Sequence, residues 1–222
     1  MSDDKPAVMT HRGRVTQARI LGSAADLIYC QGLRNTTMVD IRSAADVSGS
    51  QVTHYFKDKS ALVRGVIGWR RDELVSLHTG GILTRLDSFQ ALHDWAEINV
   101  QKQADNDCVG GCLFGSLVGE LLPPDDDVRA DLRGVYDEWI ALFRAALVTM
   151  RTRGEIRPDA DPRHLARVLV AAHQGGSQLT QTTGSVKPLR DALNAAVQYV
   201  YSFAAEPVAT TKRRVAVRRL TS

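Results

Sequence analysis

Apolar positions recur every three to four residues along most of the chain, the spacing that lays one helix face against a core. From about Gly13 to Tyr29, Ile20, Ala24 and Leu27 fall on one face, flanked by Leu21, Ala25 and Ile28, and Gly32 marks the stop. Asp58 caps a long helix reaching toward His78, which Thr79-Gly80-Gly81 ends. A helix follows from Ser88 to Ala104, then a loop from Asp105 to Gly111, and a short apolar helix from Leu113 to Leu122 stopped by Pro123-Pro124. Asp125, Asp126 and Asp127 suit the positive end of a helix macrodipole, so a helix is expected from there to about Arg153, ahead of Gly154. Asp161-Pro162 sets an N-cap before proline at the first helical position, opening a helix to about Thr182. Pro188 opens the last, which should end near Ala205. No segment alternates with the period of a strand and no repeat recurs, so the fold class is all-α.

Thr37 to Leu62 carries two short helices and a tight turn, each with its own signal. Thr37 with Asp40 forms a capping box, and Ile41 and Ala45 share the buried face of the first helix. Asp46 tolerates the left-handed backbone a sharp turn needs, and Val47 follows as an apolar plug. Ser48 with Gln51 makes a second box, Val47 with Val52 has the spacing of a hydrophobic staple, and Val52 and Phe56 face inward. Gly49, Ser50, Thr53 and His54 remain outward, a small polar surface able to approach base edges in a major groove.

This segment, with a helix before it and a long one after Lys59, resembles the DNA-binding domain of TetR-family transcriptional regulators. The resemblance rests on Thr36-Thr37, Asp40-Ile41, Ala44-Ala45, Val47-Ser48, Tyr55-Phe56 and Lys57-Asp58-Lys59 before Ala61-Leu62, and covers roughly Arg12 to Ile67. The family usually has Gly at Asp46 and Tyr at Thr53, departures that keep the turn but alter the contact pattern. The resemblance implies a three-helix helix-turn-helix DNA-binding domain at 12–67 and a larger helical ligand-binding and dimerisation domain at 68–206. A flexible arm at 1–11 and a basic, disordered tail at 207–222 flank them. It also implies a homodimer on palindromic operator DNA, released by a small-molecule effector. Thr37, Ser50, Tyr55 and Lys59 are then placed for phosphates, and Gln51, Thr53 and His54 for base edges beside Ser48 and Gly49 at the helix start. Arg12 and Arg14 ahead of the first helix suit a minor groove.

Charge distribution agrees. Residues 1–64 hold nine Lys and Arg against six Asp, residues 65–206 hold fourteen against nineteen acids, and the tail from Pro207 adds five basic residues, with Lys212 to Arg219 suited to nonspecific phosphate contact. No apolar run approaches the roughly 20 residues of a membrane span and no signal-peptide core opens the chain, which points to a cytoplasmic protein without a membrane partner.

Small residues mark the last two helices. Ala172, Gly175 and Gly176 in one, with Ala192, Ala195, Ala196 and Tyr199 in the other, suggest close helix approach across a dimer interface, or an intrachain crossing. Trp95, Phe114, Trp139, Phe143, His173 and Gln174 are candidates for an apolar ligand pocket, although core packing explains the aromatics as well. Cys108 and Cys112 invite a redox reading through a lowered thiol pKa, but their spacing is no recognised motif, and with Cys30 they form neither a disulfide framework nor a zinc quartet. No catalytic ordering, metal spacing or phosphate loop rises above chance, so no catalytic residue, metal or cofactor is assigned. The competing classes are a helical small-molecule-binding protein or enzyme, and a nonspecific DNA-binding protein. The doubly capped recognition helix argues against both.

Overall fold

A computed structural model describes residues 9–80, 85–120 and 125–205. Helices α1 (His11–Gln31), α2 (Met38–Ala44), α3 (Gly49–Tyr55) and α4 (Lys59–Thr79) form the N-terminal part. Helices α5 (Phe89–Asp105), α6 (Leu113–Glu120), α7 (Asp126–Thr152), α8 (Pro162–Thr183) and α9 (Lys187–Tyr201) follow. The caps are where local chemistry places them. Ser88, Asp125 and Asp161 accept backbone N–H groups at the starts of α5, α7 and α8, Pro162 sits at the first turn, and Gly184 closes α8 in the left-handed conformation. The first eight residues, Gly81, the Pro123-Pro124 stop and the tail from residue 206, Lys212 to Arg219 included, lie outside the described residues.

Two expectations need correction. Thr10 caps α1 by accepting the Gly13 N–H at 3.1 Å, so Arg12 and Arg14 stand in the first helical turn and not ahead of it. The Arg14 guanidinium donates back to the Met9 carbonyl at 2.7 Å. At the other end α9 stops at Tyr201. The chain then turns onto the segment after α7, where Phe203 O accepts the Arg157 N–H at 2.8 Å and Glu155 O accepts that of Ala205 at 2.9 Å. This makes an isolated antiparallel bridge between Ile156 and Ala204, too short for any strand period to announce.

Two cores are built. One gathers Ile20, Ala24 and Ile28 of α1, Ile41, Val52 and Phe56 of the helix-turn-helix, and Leu62 and Val66 of α4, but continues into Phe114 and Leu117 of α6 and Val128, Leu132 and Val135 of α7. The second joins Leu92 and Trp95 of α5, Phe143 and Leu147 of α7, Leu169 of α8 and Leu193 and Val200 of α9. No break in packing therefore falls at Ile67. Polar contacts cross the same seam: Arg64 of α4 pairs with Asp131 at 2.7 Å and Asp127 at 3.1 Å, Arg71 pairs with Glu138, and the Ser60 hydroxyl donates to Asp125. Solvent screens each exposed pair, yet together they tie α4 to α7 along its length.

Candidate functional site

The DNA-facing unit is assembled from local bonds. In α2 both halves of the Thr37–Asp40 box are made, and in α3 both halves of the Ser48–Gln51 box. Asp46 takes φ +48°, the left-handed turn residue, and Val47 tucks against the first core. Ser48, Gly49, Ser50, Gln51, Thr53 and His54 are all exposed and contiguous at the start of α3. Thr53 returns its hydroxyl to Gly49 O at 3.0 Å, and the Ser48 and Ser50 hydroxyls pair at 2.9 Å. Tyr55 is half-buried, its ring edge-on to His54 at 5.0 Å.

Some candidates already have employment. Thr37 gives both its N–H and its hydroxyl proton to Asp40 (2.8 and 2.6 Å), which also holds the Asp40 carboxyl below its ordinary range. The Lys59 ammonium donates to the Leu33 carbonyl at 2.7 Å and is half-buried. The freer cations are Arg42 of α2, whose guanidinium lies beside Gly49, and Lys57 before α4. Their exposed positions flanking α3 were the available signal for both.

A cavity of about 430 Å³ lies where the two cores meet. Its walls come from six helices: Asp26 and Tyr29 of α1, Arg70, Leu74 and His78 of α4, Trp95, Asn99 and Lys102 of α5, Phe114 of α6, Trp139 of α7 and His173 of α8. Four sequence candidates, Trp95, Phe114, Trp139 and His173, thus come together. Phe143 does not join them, being wholly buried behind Trp95 with ring centroids 4.8 Å apart. Nor does Gln174 line the cavity; its amide donates to Cys112 Sγ at 3.1 Å. Burial pushes the Cys112 thiol up, which is opposite to the lowered pKa that a redox reading of this cysteine would need.

Tyr29 was not anticipated because only the tertiary fold brings it here. The loop between α5 and α6 runs through positive φ at Asp107, Cys108, Gly110 and Gly111, and a Cβ at Gly110 would fall 2.3 Å from the Tyr29 ring. Gln103 anchors the loop by donating to Gly111 O at 2.7 Å. At the rim Arg70 holds both Asp26 and Glu73 at 2.8 Å. Deeper, burial keeps His78 below its ordinary pKa and brings His173 down to about 4, so both imidazoles are neutral at pH 7.

The small-residue stripe divides. Gly176 and Ala196 are turned inward: a Cβ on Gly176 would sit 2.8 Å from Leu189 Cα and 3.2 Å from Ala192 Cβ, so this glycine serves the α8–α9 crossing within one chain. That corrects their assignment to an interface between chains. Gly175, Ala195 and Tyr199 lie on the outer face, with nothing within 4 Å of a Cβ at Gly175, and Ala172 and Ala192 are partly covered. Leu179 and Tyr199, 55% and 40% exposed, leave this face unusually apolar.

A twice-capped helix-turn-helix packed continuously onto a cavity-bearing helical body defines the class of DNA-binding transcriptional regulators. Residues 20–66 match bacterial regulatory proteins of the tetR family, and residues 88–196 match the tetracyclin repressor-like C-terminal domain. The chain belongs to the TetR family. It is 24% identical over 192 residues to the HTH-type transcriptional repressor ComR of Escherichia coli (strain K12), covering 85% of this chain and 91% of that one. It is 37% identical over 65 residues to the HTH-type transcriptional repressor DhaR of Mycobacterium sp. (strain GP1), a match spanning 29% of this chain and 33% of the relative. The crystal structure of regulatory protein TetR from Rhodobacter sphaeroides superposes with a TM-score of 0.76 at 21% identity, covering 83% of this chain and 98% of that one. Among the described residues no helix is long and apolar enough to cross a membrane.

Proposed function

We propose that this regulator is a homodimeric repressor that leaves a palindromic operator when a small molecule fills its cavity. The observation that carries the reading is the composition of the cavity wall: α1 belongs to the DNA-binding unit, α4 runs from that unit into the body, and α5 to α8 belong to the body. A ligand wedged there acts on both. Two recognition helices enter successive major grooves only when they sit about 34–36 Å apart, so a shift of α4 that changes this separation lowers operator affinity. A coupling of about 1 to 3 kcal/mol is typical of such linkage.

In this reading Gln51, Thr53 and His54 reach base edges, with Ser48 and Gly49 at the point of closest approach, while Ser50, Tyr55, Lys59 and Thr37 meet phosphate, Thr37 by yielding a proton now given to Asp40. Arg12 and Arg14 approach the backbone from the first turn of α1. The outer face of α8 and α9, with Gly175, Leu179, Ala195 and Tyr199, takes the second subunit. The test is selection of bound duplexes from random DNA, followed by sedimentation of the complexes. Inverted half-sites about one helical turn apart, carrying two chains per duplex, support the reading. Binding with no sequence preference, or one chain on an unrepeated site, refutes it.

A further inference from the structure

The cavity carries polar groups that its own walls leave incomplete. His78 Nδ1 lies 2.7 Å from the Leu74 carbonyl, which only accepts, so the proton is on Nδ1 and Nε2 of the neutral ring is a bare acceptor. The Asn99 amide donates to the Trp95 carbonyl at 2.8 Å, which turns its own oxygen toward His173 Nε2 at 3.0 Å. The proton of His173 is therefore on Nε2, and Nδ1 is a second bare acceptor. Among the described residues that line the cavity, His78 Nε2, His173 Nδ1, Gln103 Oε1 and the Trp139 indole N–H are buried without a hydrogen-bond partner. Leaving such a group unmet costs on the order of 1–3 kcal/mol, and four on residues lining one cavity call for a molecule that satisfies them.

We propose that the cavity takes an uncharged hydroxylated aromatic molecule, whose hydroxyls donate to the His78 and His173 imidazoles and accept from the Trp139 indole; this rests on reading the cavity as the effector site. The aromatic body follows from the walls, where Trp95, Trp139, Phe114 and Tyr29 offer faces and edges for ring contacts. The charge follows from elimination. An anion at the buried end meets three acceptor atoms and a single N–H. A cation finds no free carboxylate, because Asp26 and Glu73 are both held by Arg70, and it leaves the indole N–H unmet. A hydroxyl both donates and accepts, and so suits the acceptors and the indole N–H alike. Lys102, exposed at the rim without an ion-pair partner among the described residues, is the group through which a carboxylate would compete.

Four single-ring probes decide between these chemistries: catechol, toluene, benzoate and benzylammonium, each titrated calorimetrically into the full-length protein without DNA. Catechol is expected to bind at least about tenfold tighter than the other three. Trp139→Phe, which keeps a ring and removes the N–H, should weaken catechol by roughly five- to tenfold and leave toluene within about twofold. If that variant does not fold, His78→Leu carries the same expectation. Tightest binding by benzoate or benzylammonium, parity of toluene with catechol, equal loss of catechol and toluene in the variant, or no binding by any probe to the folded protein each overturns the proposal. Operator affinity measured with and without saturating catechol separates the two readings. Catechol that binds as expected but leaves operator affinity unchanged refutes the release mechanism and leaves the ligand class standing.

Discussion

Two adjacent glycines in α8 should respond to the same substitution with opposite signs. A methyl group on Gly176 would meet Leu189 Cα at 2.8 Å and Leu189 Cδ1 at 3.0 Å, and since the first of these is backbone, no rotamer change relieves it. Overpacking of this kind costs about 1–3 kcal/mol. Replacing glycine by alanine inside a helix returns about 1 kcal/mol, so Gly176→Ala should be net destabilising by about 1 kcal/mol. For a protein of this size that is a fall in Tm of about 2–4 °C. Gly175→Ala meets nothing within 4 Å inside the chain and keeps the helix gain, so its Tm should rise by a similar amount where the second subunit leaves room for a methyl group. Differential scanning calorimetry at one protein concentration reads both, because association makes Tm concentration-dependent. A rise in both variants would show that the α8–α9 crossing has slack, and a fall in Gly175→Ala alone would show that the second subunit packs closely on Gly175. For the same reason Gly176→Leu reports on folding, whereas Gly175→Leu and Ala195→Leu should stay folded and shift the proposed dimer toward monomer in sedimentation at low concentration.

Three further outcomes follow from particular contacts. Lys57→Ala should weaken binding to every DNA sequence and reduce the salt slope by about one unit, whereas Lys59→Ala, losing its bond to Leu33 O, should lower Tm as well; anisotropy titrations across salt and thermal melts distinguish them. Burial, helped by the charges of Lys102 and His78, holds His173 neutral down to about 4 in the folded chain, while the unfolded imidazole takes up its proton near 6.5. Stability from this group is therefore complete above about pH 6.5 and declines toward pH 4 by roughly 3 kcal/mol; urea midpoints for His173→Gln should fall less steeply with acid, and parallel curves would contradict the argument. The Glu120 carboxylate accepts the Arg34 N–H at 2.8 Å, tying the end of α6 to the turn after α1, so Glu120→Ala should lose about 1 kcal/mol in denaturant melts, and an unchanged midpoint would make that tie incidental.

What was legible in the chain was what is decided within a few residues. Capping boxes, the Asp46 turn, the proline at the start of α8 and the glycine after it are local hydrogen-bond and backbone problems, and each resolved as its residues required. The end of α9 was misjudged because Ser202 to Ala205 are held by Glu155 and Arg157, some fifty residues away in sequence. Gly175 and Gly176 look alike in sequence, but about 100° of helix rotation separates them, and only the position of α9 decides which one is covered. The cavity is tertiary throughout. Aromatic residues on central helices marked four of its walls, yet Phe143 carries the same signal and is core. Tyr29 sits on a helix whose sequence reads as part of the DNA-binding unit, and Arg70 on the long helix that runs out of that unit. Their presence in the wall is what the proposed release mechanism rests on.

The most direct test of the account is the reciprocity of the two binding events. A ligand of the cavity, catechol or a tighter molecule of its class, is titrated calorimetrically into the free protein and into its complex with the selected operator, and the operator is titrated with and without saturating ligand. The account predicts that operator weakens the ligand by the same factor by which ligand weakens the operator, about 5- to 150-fold. Trp139→Phe should lower ligand affinity while leaving ligand-free operator affinity intact. Full occupancy of the cavity with both factors equal to one would contradict the account, since a ligand with no preference between the two states shifts nothing.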